Sequence, residues 1–354
     1  MHSFEKRLAK RYEDGSIRSL SLLSQFVDFF SNDYLGLSRF PSSQTKSKKR
    51  YSSTGSRLLS GNSVEAENCE VFLAEYFESE AALVFNSGYD ANLGFFSSIP
   101  QKGDTIIYDA LIHASVRDGI RLSYADSFSF KHNDILDLEL KIQRAKGTIF
   151  VAIESLYSMD GDCAPIKEIS RICKDKNAFL IVDEAHACGV LGENGKGLSL
   201  PYSPFARLIT FGKAYGSHGA AILSTSLVKT YLINFARSFI YTTALPNESY
   251  DRIQSILKNS NQNKLREILL ENIHVFRGEF SEYLLSDSQS PIQIIPCPGV
   301  KKAIDLCSII QENGFAVKPI LSPTVPLGSE RIRICLHSFN TPDQIKGLVA
   351  TLRS

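Results

Sequence analysis

The chain has 354 residues, of which 43% are hydrophobic and 22% are charged. This composition is typical of globular proteins, and the length predicts one large and one smaller domain. The 39 Lys and Arg side chains nearly balance the 38 Asp and Glu side chains, and the net charge is +1. The overall charge of the chain therefore does not favour binding to nucleic acid or to an anionic membrane.

The cysteines and the N-terminus favour a cytoplasmic protein. Seven cysteines occur without CxxC pairs or metal-ligand spacing, so we expect reduced thiols and no metal site. The N-terminal sequence MHSFEKRLAKRYEDGS is charged and lacks the apolar core of a signal peptide, and no window approaches the length of a membrane span. A local basic run at residues 46–50 is expected to be a solvated loop rather than a phosphate contact.

The first part of the chain predicts helices separated by turns. Residues 4–12 have a helical pattern, and residues 31–37 (SNDYLGL) are rich in turn formers. A further helix should begin near Asn62 or Ser63, because either side chain can cap it and acidic residues follow in its first turn.

From residue 81 onward, strand and helix patterns alternate. The predicted strands are short apolar runs at residues 81–86, 105–109, 148–154, 179–183 and 208–211. The predicted helices between them lie at residues 89–98, 112–123, 134–146 and 166–176. Apolar runs without polar alternation are typical of parallel strands covered on both faces, so the pattern predicts an α/β fold with a mainly parallel central sheet.

Beyond Pro246 the pattern changes to a smaller α+β C-terminal domain. Its predicted elements are a long helical stretch at about 248–285, a strand at 292–295, a helix at 301–313 and a strand at 331–336. We therefore divide the chain into an N-terminal segment (1–35), a large domain (36–245) and a small domain (246–354).

Two of the predicted strand ends indicate a particular cofactor. The run FLIVD ends at Asp183, and the run LITF leads into Lys213. A lysine among small residues at a strand end is placed to form an imine, and an aspartate at another strand end is placed to keep a heterocyclic nitrogen protonated. Taken singly, Lys213 could be an exposed loop residue and Asp183 a helix cap. Together they predict pyridoxal 5′-phosphate (PLP) as the cofactor.

Other polar residues follow the same strand ends. Ligands of open parallel sheets bind beyond the carboxyl ends of the strands, so these residues should share one edge of the sheet. They are Ser87, Gly88 and Tyr89, then Asp109 with His113, Glu154 with Ser158, Asp183 with His186, and Thr210 with Lys213. The segment Ser87 to Tyr89 lies at a strand-to-helix junction and is a candidate cradle for the cofactor phosphate.

Several longer segments resemble one enzyme family, the α-oxoamine synthases. The similar segments run in order through most of the chain: NDYLGL (32–37), STGSRLLSGNS (53–63), FNSGYDANLG (85–94), HASVRDGIRLS (113–123), ESLYSMDGDCAPI (154–166), DEAHACGVLGENGKG (183–197), TFGKAYGSHGAAIL (210–223), FIYTTALP (239–246) and SPTVPLGSERIRICL (322–336). The resemblance implies the PLP-dependent transferase fold type I. It also implies the joining of an amino acid to an acyl thioester with loss of carbon dioxide.

The resemblance also implies roles for individual residues. Lys213 is similar to the lysine that holds the cofactor aldehyde, Asp183 to the partner of the pyridine nitrogen, His186 to the partner of the phenolic oxygen, and His113 to the histidine that stacks on the ring. The residues implied for the phosphate are Ser87, Gly88, Tyr89, Ser158, Thr210 and Thr243.

Partners and substrates follow from the same resemblance. Thr243 resembles a residue that reaches the phosphate of a neighbouring subunit, which implies a homodimer with shared active sites. Arg333 and Asn32 are similar to residues that bind the amino-acid carboxylate. Arg331 shares a strand face with Arg333 by alternation, so either arginine remains a candidate.

The implied substrates are L-alanine and a pimeloyl thioester, carried on coenzyme A or an acyl carrier protein. An N-terminal arginine of some family members aligns with Ala9, which leaves the acyl contacts open. The alternatives are condensation of glycine with acetyl-CoA or another reaction of the α-oxoamine synthases. An idle homologue acting as a subunit and a plain aminotransferase also remain.

Overall fold

The computed structural model describes residues 2–18, 20–40, 52–285 and 287–354. The basic run at residues 46–50 lies outside these ranges, and its expected conformation stays a prediction. Within the described ranges, no helix combines the length and apolar character needed to cross a membrane.

Helices flank the strands as the alternating pattern predicts. Their bounds are α1 Ser3–Glu13, α2 Val64–Tyr76, α3 Gly88–Ser98, α4 Ala114–Leu122, α5 Ile135–Ile142, α6 Ile166–Asp175, α7 Ser226–Phe235, α8 Arg237–Ile240, α9 Asn247–Leu257, α10 Gln262–Phe280, α11 Val300–Glu312 and α12 Pro342–Arg353. The side chain of Ser63 caps α2 by accepting a hydrogen bond from the Ala66 N–H at 3.2 Å, so Ser63 is the cap of the two candidates.

The strands coincide with the predicted apolar runs to within one or two residues, with additions. Their bounds are β1 Val27–Asp28, β2 Ala81–Phe85, β3 Thr105–Asp109, β4 Asp126–Phe130, β5 Ile149–Glu154, β6 Phe179–Asp183, β7 Ala206–Thr210, β8 Ala220–Ser224, β9 Ile292–Pro296, β10 Phe315–Ala316, β11 Lys318–Ile320 and β12 Arg331–Cys335.

The largest sheet of the described residues has seven strands in the order β2-β8-β7-β6-β5-β3-β4. Neighbouring strands from β7 to β4 are parallel, whereas β8 runs antiparallel to both β7 and β2. The mainly parallel sheet is therefore confirmed, and the antiparallel β8 is an addition to the prediction.

Both faces of this sheet are covered by apolar side chains. In β5, Phe150 and Ala152 belong to one buried cluster, whereas Val151 and Ile153 belong to a second cluster. Alternate residues of a strand point to opposite faces, so each cluster lies on its own side of the sheet. This two-sided burial explains why the strand sequence is apolar throughout.

The described residues form two compact units. The smaller-unit ranges are 1–34, 158–162 and 264–354, and the larger-unit ranges are 35–157 and 163–263. The larger unit contains the seven-stranded sheet and α9. The smaller unit contains the antiparallel sheet β11-β12-β9, the parallel pair β1-β10 and helices α10 to α12. The division at residues 35 and 245 stays a prediction.

Candidate active site

The carboxyl ends of three neighbouring strands bring acidic side chains to one edge of the larger unit. Asp183 ends β6, Glu154 ends β5 and Asp109 ends β3, and all three residues are buried. Glu154 and Asp183 are direct register partners in the parallel pair β5-β6. The predicted placement of polar groups at this edge is therefore present in the fold.

Two hydrogen bonds fix the carboxylate of Asp183. Its Oδ2 accepts a hydrogen bond from the Asn92 side-chain amide at 2.7 Å, and its Oδ1 accepts one from the Ala185 N–H at 2.9 Å. Asn92 lies on α3 and is 3% exposed, so it is a buried amide aimed at a buried carboxylate. These donors stabilise the charged form of Asp183, which an acid partner for a protonated heterocycle requires.

His113 precedes α4 and is tied to the same network. Its Nδ1 lies 2.8 Å from Ser115 Oγ, which accepts a hydrogen bond from Asn92 at 3.0 Å. His113 is exposed at the chain surface, but enough protein surrounds its ring that desolvation lowers the pKa of the imidazole. The negative charge of Asp183 opposes this effect and the positive charge of Lys213 adds to it, so both groups lie within electrostatic range of His113.

Lys213 lies in a tight loop between β7 and β8. The Lys213 carbonyl accepts a hydrogen bond from the Gly216 N–H at 2.8 Å, and Gly216 has a φ of 54°. A Cβ atom at Gly216 would lie 2.0 Å from the Ser38 nitrogen, so only glycine fits this loop. The glycine therefore fixes the path of the chain immediately after the lysine.

The candidate phosphate residues of the larger unit lie close to the start of α3. Ser87 caps α3, and a Cβ atom at Gly88 would lie 3.8 Å from Thr210 Cβ, so the helix start and the end of β7 are neighbours. The Asn86 amide donates hydrogen bonds to the Thr243 carbonyl at 2.7 Å and to Thr242 Oγ1 at 3.2 Å. Backbone N–H groups at a helix start suit a phosphate.

Tyr89 and His186 complete the predicted set in this unit. The ring of Tyr89 lies 6.5 Å from that of His113 in an edge-on arrangement, and its hydroxyl donates to the Asp118 carboxylate. His186 follows β6 by three residues and is 5% exposed. The next residue after Asp183, Glu184, accepts hydrogen bonds from Ser155 and Ser199 and so anchors the loop after β6.

Asn32 and Arg333 lie together in the smaller unit. Arg333 Nη2 donates to Asn32 Oδ1 at 2.9 Å and to the Tyr34 hydroxyl at 3.2 Å, while that hydroxyl donates to Asn32 Oδ1 at 3.1 Å. No hydrogen-bond partner for Arg333 Nε occurs among the residues that the structure describes. A half-buried guanidinium whose buried Nε donor is unused fits a carboxylate ligand.

Arg331 has a different environment in the same unit. Its Nη1 forms an ion pair with Asp160 at 2.5 Å and donates to the Met159 carbonyl at 3.0 Å. Arg331 is thus already paired, and this contact ties β12 to the segment 158–162. That segment also places the predicted phosphate residue Ser158 in the smaller unit.

Sequence reasoning missed Asn92 and Tyr34 as members of these networks. The signal for Asn92 was a polar amide within the apolar helical run ANLGFF, and Tyr34 is the aromatic residue of NDYLGL.

A third buried group, Glu154, was noted at a strand end without a role. Its Oε1 has no hydrogen-bond partner within the described part of the chain. An orphaned buried oxygen beside Asp183 fits a site that a bound group completes.

Comparisons with known proteins identify the family of this chain. The aminotransferase class I and II family matches residues 24–352. The 8-amino-7-oxononanoate synthase of Emericella nidulans is 40% identical over 99% of this chain and 94% of its own length. A crystal structure of 8-amino-7-oxononanoate synthase from Francisella tularensis is 31% identical, covers 93% of this chain and 97% of its own, and has a TM-score of 0.77.

A structure of serine palmitoyltransferase (SPT) with PLP is 25% identical to this chain and has a TM-score of 0.92. It covers 99% of this chain and 97% of its own. Together with the family match, it confirms PLP as the cofactor and fold type I as the architecture. The lysine, the hydrogen-bonded aspartate and the orphaned glutamate oxygen in the larger unit fit this group. The chain belongs to the aminotransferase class I and II family and has the PLP-dependent fold type I.

Proposed function

We propose that this chain condenses L-alanine with a pimeloyl thioester and releases carbon dioxide and the free thiol, giving 8-amino-7-oxononanoate in biotin biosynthesis. The observation that carries the proposal is the hydrogen-bond network that joins Asp183 through Asn92 and Ser115 to His113, with Lys213 within electrostatic range of that histidine. The choice among acyl-transfer reactions rests on the relatives, since proteins named 8-amino-7-oxononanoate synthase match over nearly the whole chain.

PLP, when bound, supplies an aldehyde and a ring that can accept an electron pair from the amino-acid Cα. We propose that Asp183 keeps the proton on the pyridine nitrogen, because hydrogen bonds from Asn92 and the Ala185 N–H fix its carboxyl group in place. His113 would pack on the ring in its neutral form, which the lowered pKa favours. His186 would hydrogen-bond the phenolic oxygen.

Lys213 is the proposed proton carrier of the reaction. Its Nζ would remove the proton from the alanine Cα and later return a proton to the same carbon of the product. The lowered pKa of His113 makes its imidazole a weaker base than an ordinary histidine, which favours the lysine for this transfer. Ser87, Gly88, Tyr89, Ser158 and Thr210 are the proposed phosphate contacts.

Arg333 and Asn32 are the proposed ligands of the alanine carboxylate. Arg333 has the unused Nε donor and a planar group suited to two parallel hydrogen bonds with a carboxylate. Arg331 is occupied by Asp160, which favours Arg333 of the two candidates. Loss of this carboxylate as carbon dioxide occurs only after the new carbon–carbon bond has made it a β-keto acid.

The contacts of the acyl donor involve the N-terminal segment in our proposal. Ala9 has no charged group, but Arg18, further along, donates to Thr324 Oγ1 at 3.0 Å. Thr324 belongs to the SPTVPLGS segment of the family resemblance. Ala9 cannot make a charged contact with the acyl donor. We therefore propose that Arg18 makes this contact instead.

We further propose a cytoplasmic homodimer in which Thr243 reaches the phosphate of the neighbouring subunit. Thr243 is exposed in this chain, while its carbonyl is held by Asn86 next to the start of α3. The proposed acyl donor is a thioester of coenzyme A or of a carrier protein, and assays with both distinguish them.

The experiment that tests the function measures thiol and carbon dioxide release from the PLP-loaded chain. Alanine, glycine and serine are each combined with pimeloyl-, acetyl-, succinyl- and palmitoyl-CoA. Turnover confined to alanine with the pimeloyl donor supports the proposal. Preference for glycine with acetyl-CoA, or amino-group transfer without carbon dioxide release, contradicts it.

A further inference from the structure

Three carboxyl groups lie buried at the ends of adjacent strands in the larger unit. Asp183 is 7% exposed, Glu154 is 3% exposed and Asp109 is 0% exposed. Their strands β6, β5 and β3 are neighbours in the sheet, and Glu154 lies on the middle one. Three carboxylates so close together and so far from water cannot all be charged at low cost.

The hydrogen bonds to the three groups are unequal. Asp183 accepts from Asn92 and the Ala185 N–H. Asp109 accepts from the backbone N–H groups of Leu111 at 2.7 Å and Asn133 at 3.0 Å, and its Oδ1 lies 2.9 Å from His132 Nδ1. These donors stabilise the charged forms of both aspartates.

Glu154 has much less support for a negative charge. The backbone N–H of His113 is the donor that faces its carboxyl group, and Oε1 has no partner among the described residues. Of the three acids, Glu154 is thus the one that holds a proton at the lowest cost.

The electrostatic surroundings of Glu154 also favour the protonated form of its carboxyl group. Burial, and then the negative charges of Asp183 and Asp109, raise the pKa of its carboxyl well above the usual value, while Lys213 and the His113 N–H oppose the rise. Tyr157 also faces this cluster: burial, and then the negative charge of the nearby Asp109, raise the pKa of its phenol.

We propose that Glu154 is a neutral, proton-bearing acid in the working enzyme and that its free Oε1 side donates a hydrogen bond to an oxygen of the bound cofactor. The inference rests on the proposed function, because it takes PLP as the occupant of this edge. Glu154 would thereby add a neutral donor beside Asp183 without adding a second negative charge near Lys213.

The test compares Glu154→Gln, which keeps a neutral donor, with Glu154→Leu, which keeps similar volume without a donor. The dissociation constant of PLP is measured by absorbance titration of chain freed of cofactor. The ratio of the absorbance bands of the bound cofactor is recorded from pH 6 to 9. We expect Gln to bind PLP within about threefold of the parent chain, and Leu to bind about tenfold or more weakly with an altered band ratio.

The pH at which the absorbance changes reports the charge of Glu154. If Glu154 is neutral, the Gln variant changes at the same pH as the parent chain. If Glu154 is a carboxylate, Gln removes a negative charge beside Lys213, and the change moves to lower pH by about one unit. The latter result, or equal PLP affinity in all three proteins, overturns the proposal.

Glu70→Gln is the matched control, because Glu70 is a buried acid on α2 with a full set of donors and is not among the proposed cofactor contacts. It should lower the unfolding midpoint and leave PLP affinity unchanged. If the Leu variant does not fold, the pH titration of the Gln variant decides the question alone. PLP affinity is measured without acyl thioester, so failure to condense substrates counts against the proposed function and not against this inference.

Discussion

At the residue scale, Asn92 joins the two halves of the polar network in the larger unit. It donates to Asp183 and to Ser115, and Ser115 in turn contacts the ring of His113. The position of the aspartate and the orientation of the histidine therefore depend on one buried amide. A buried amide in an apolar helix face is costly unless its hydrogen bonds are made, which explains why both of its contacts are polar and short.

The first prediction concerns Lys213. Lys213→Ala should abolish the visible absorbance of the bound cofactor and lower turnover by at least about a thousandfold, because both the covalent link and the proton carrier are lost. The far-ultraviolet circular dichroism should not change. Lys131→Ala, an exposed lysine elsewhere in the larger unit, is the control. A Lys213→Ala chain that condensed its substrates at the parent rate would remove the lysine from this role.

The second prediction separates the two arginines of β12. Arg333→Ala should raise the KM for the amino acid at least about tenfold while the cofactor absorbance is kept, because a charged hydrogen bond to the substrate carboxylate is lost. Steady-state kinetics with varied amino acid measure the change.

Arg331→Ala is the comparison for that experiment. It should lower the free energy of unfolding by about 3 kcal/mol, because it leaves Asp160 without its buried partner. Urea unfolding measures this loss. If Arg331→Ala raised the KM for the amino acid and Arg333→Ala did not, the assignment of the carboxylate to Arg333 would be wrong.

At the element scale, several helices begin at a residue whose side chain caps the helix, and such residues can be recognised in the sequence. Ser63 caps α2, Ser87 caps α3 and Thr341 caps α12. At Thr341 the cap is reciprocal: Gln344 N–H donates to Thr341 Oγ1 at 3.2 Å, and Thr341 N–H donates to Gln344 Oε1 at 3.0 Å. This arrangement is a capping box.

The third prediction concerns this capping box. Thr341→Ala should lower the free energy of unfolding by about 1 kcal/mol, because the N–H of Gln344 loses its acceptor. Thr341→Ser keeps the hydroxyl and should recover most of the loss. Chemical denaturation of the three proteins measures the effect, and equal stability of Ala and Ser variants would show that the cap contributes nothing.

The elements that the sequence predicted share a clear physical signal. The runs around β3, β5 and β6 are apolar because both of their faces are covered. β4 gave no such signal, because it is the edge strand DSFSF and most of its residues are exposed. The long helical stretch predicted at about 248–285 is two helices, α9 and α10, since the polar residues at 258–261 (KNSN) end the first.

The hydrogen-bond and ion-pair partners of side chains were harder to predict from the sequence than the helices and strands. The strand ends predicted that Asp183, His113 and Lys213 would meet, because parallel strands share one edge. The donor to Asp183, Asn92, is 91 positions away and belongs to another element, so no local spacing indicates the contact. The ion pair between Arg331 and Asp160 likewise depends on tertiary structure. Strand alternation alone therefore could not show which of Arg331 and Arg333 is available to bind a carboxylate.

At the scale of the whole molecule, buried histidines link stability to pH. His337 is 0% exposed, and its Nε2 lies 3.2 Å from Ser31 Oγ. Burial lowers the pKa of its imidazole, although the negative charge of Asp28 opposes the effect. The unfolded chain therefore binds a proton near the ordinary histidine value of about 6.5, whereas the native chain does so only at lower pH.

The fourth prediction follows from this difference. Because the unfolded state binds more protons at His337 below about pH 6.5, the contribution of His337 to the free energy of unfolding should fall as the pH drops from 7.5 to 5.5. His113 acts in the same direction, since its pKa is also lowered. The proton proposed on Glu154 acts in the opposite direction, but it is common to the parent chain and the variant and cancels in their comparison. His337→Gln should show a weaker pH dependence in urea unfolding. His2→Gln, which removes an exposed histidine, is the control, and an unchanged slope for His337→Gln would contradict the linkage.

The most direct test of the central claim is the mass-spectrometric identity of the product formed from L-alanine and pimeloyl-CoA. We expect 8-amino-7-oxononanoate, with one carbon dioxide and one free coenzyme A released per product, and loss of all three in Lys213→Ala. A PLP-loaded chain that formed no condensation product from this pair, with either a coenzyme A or a carrier-protein thioester, would contradict it.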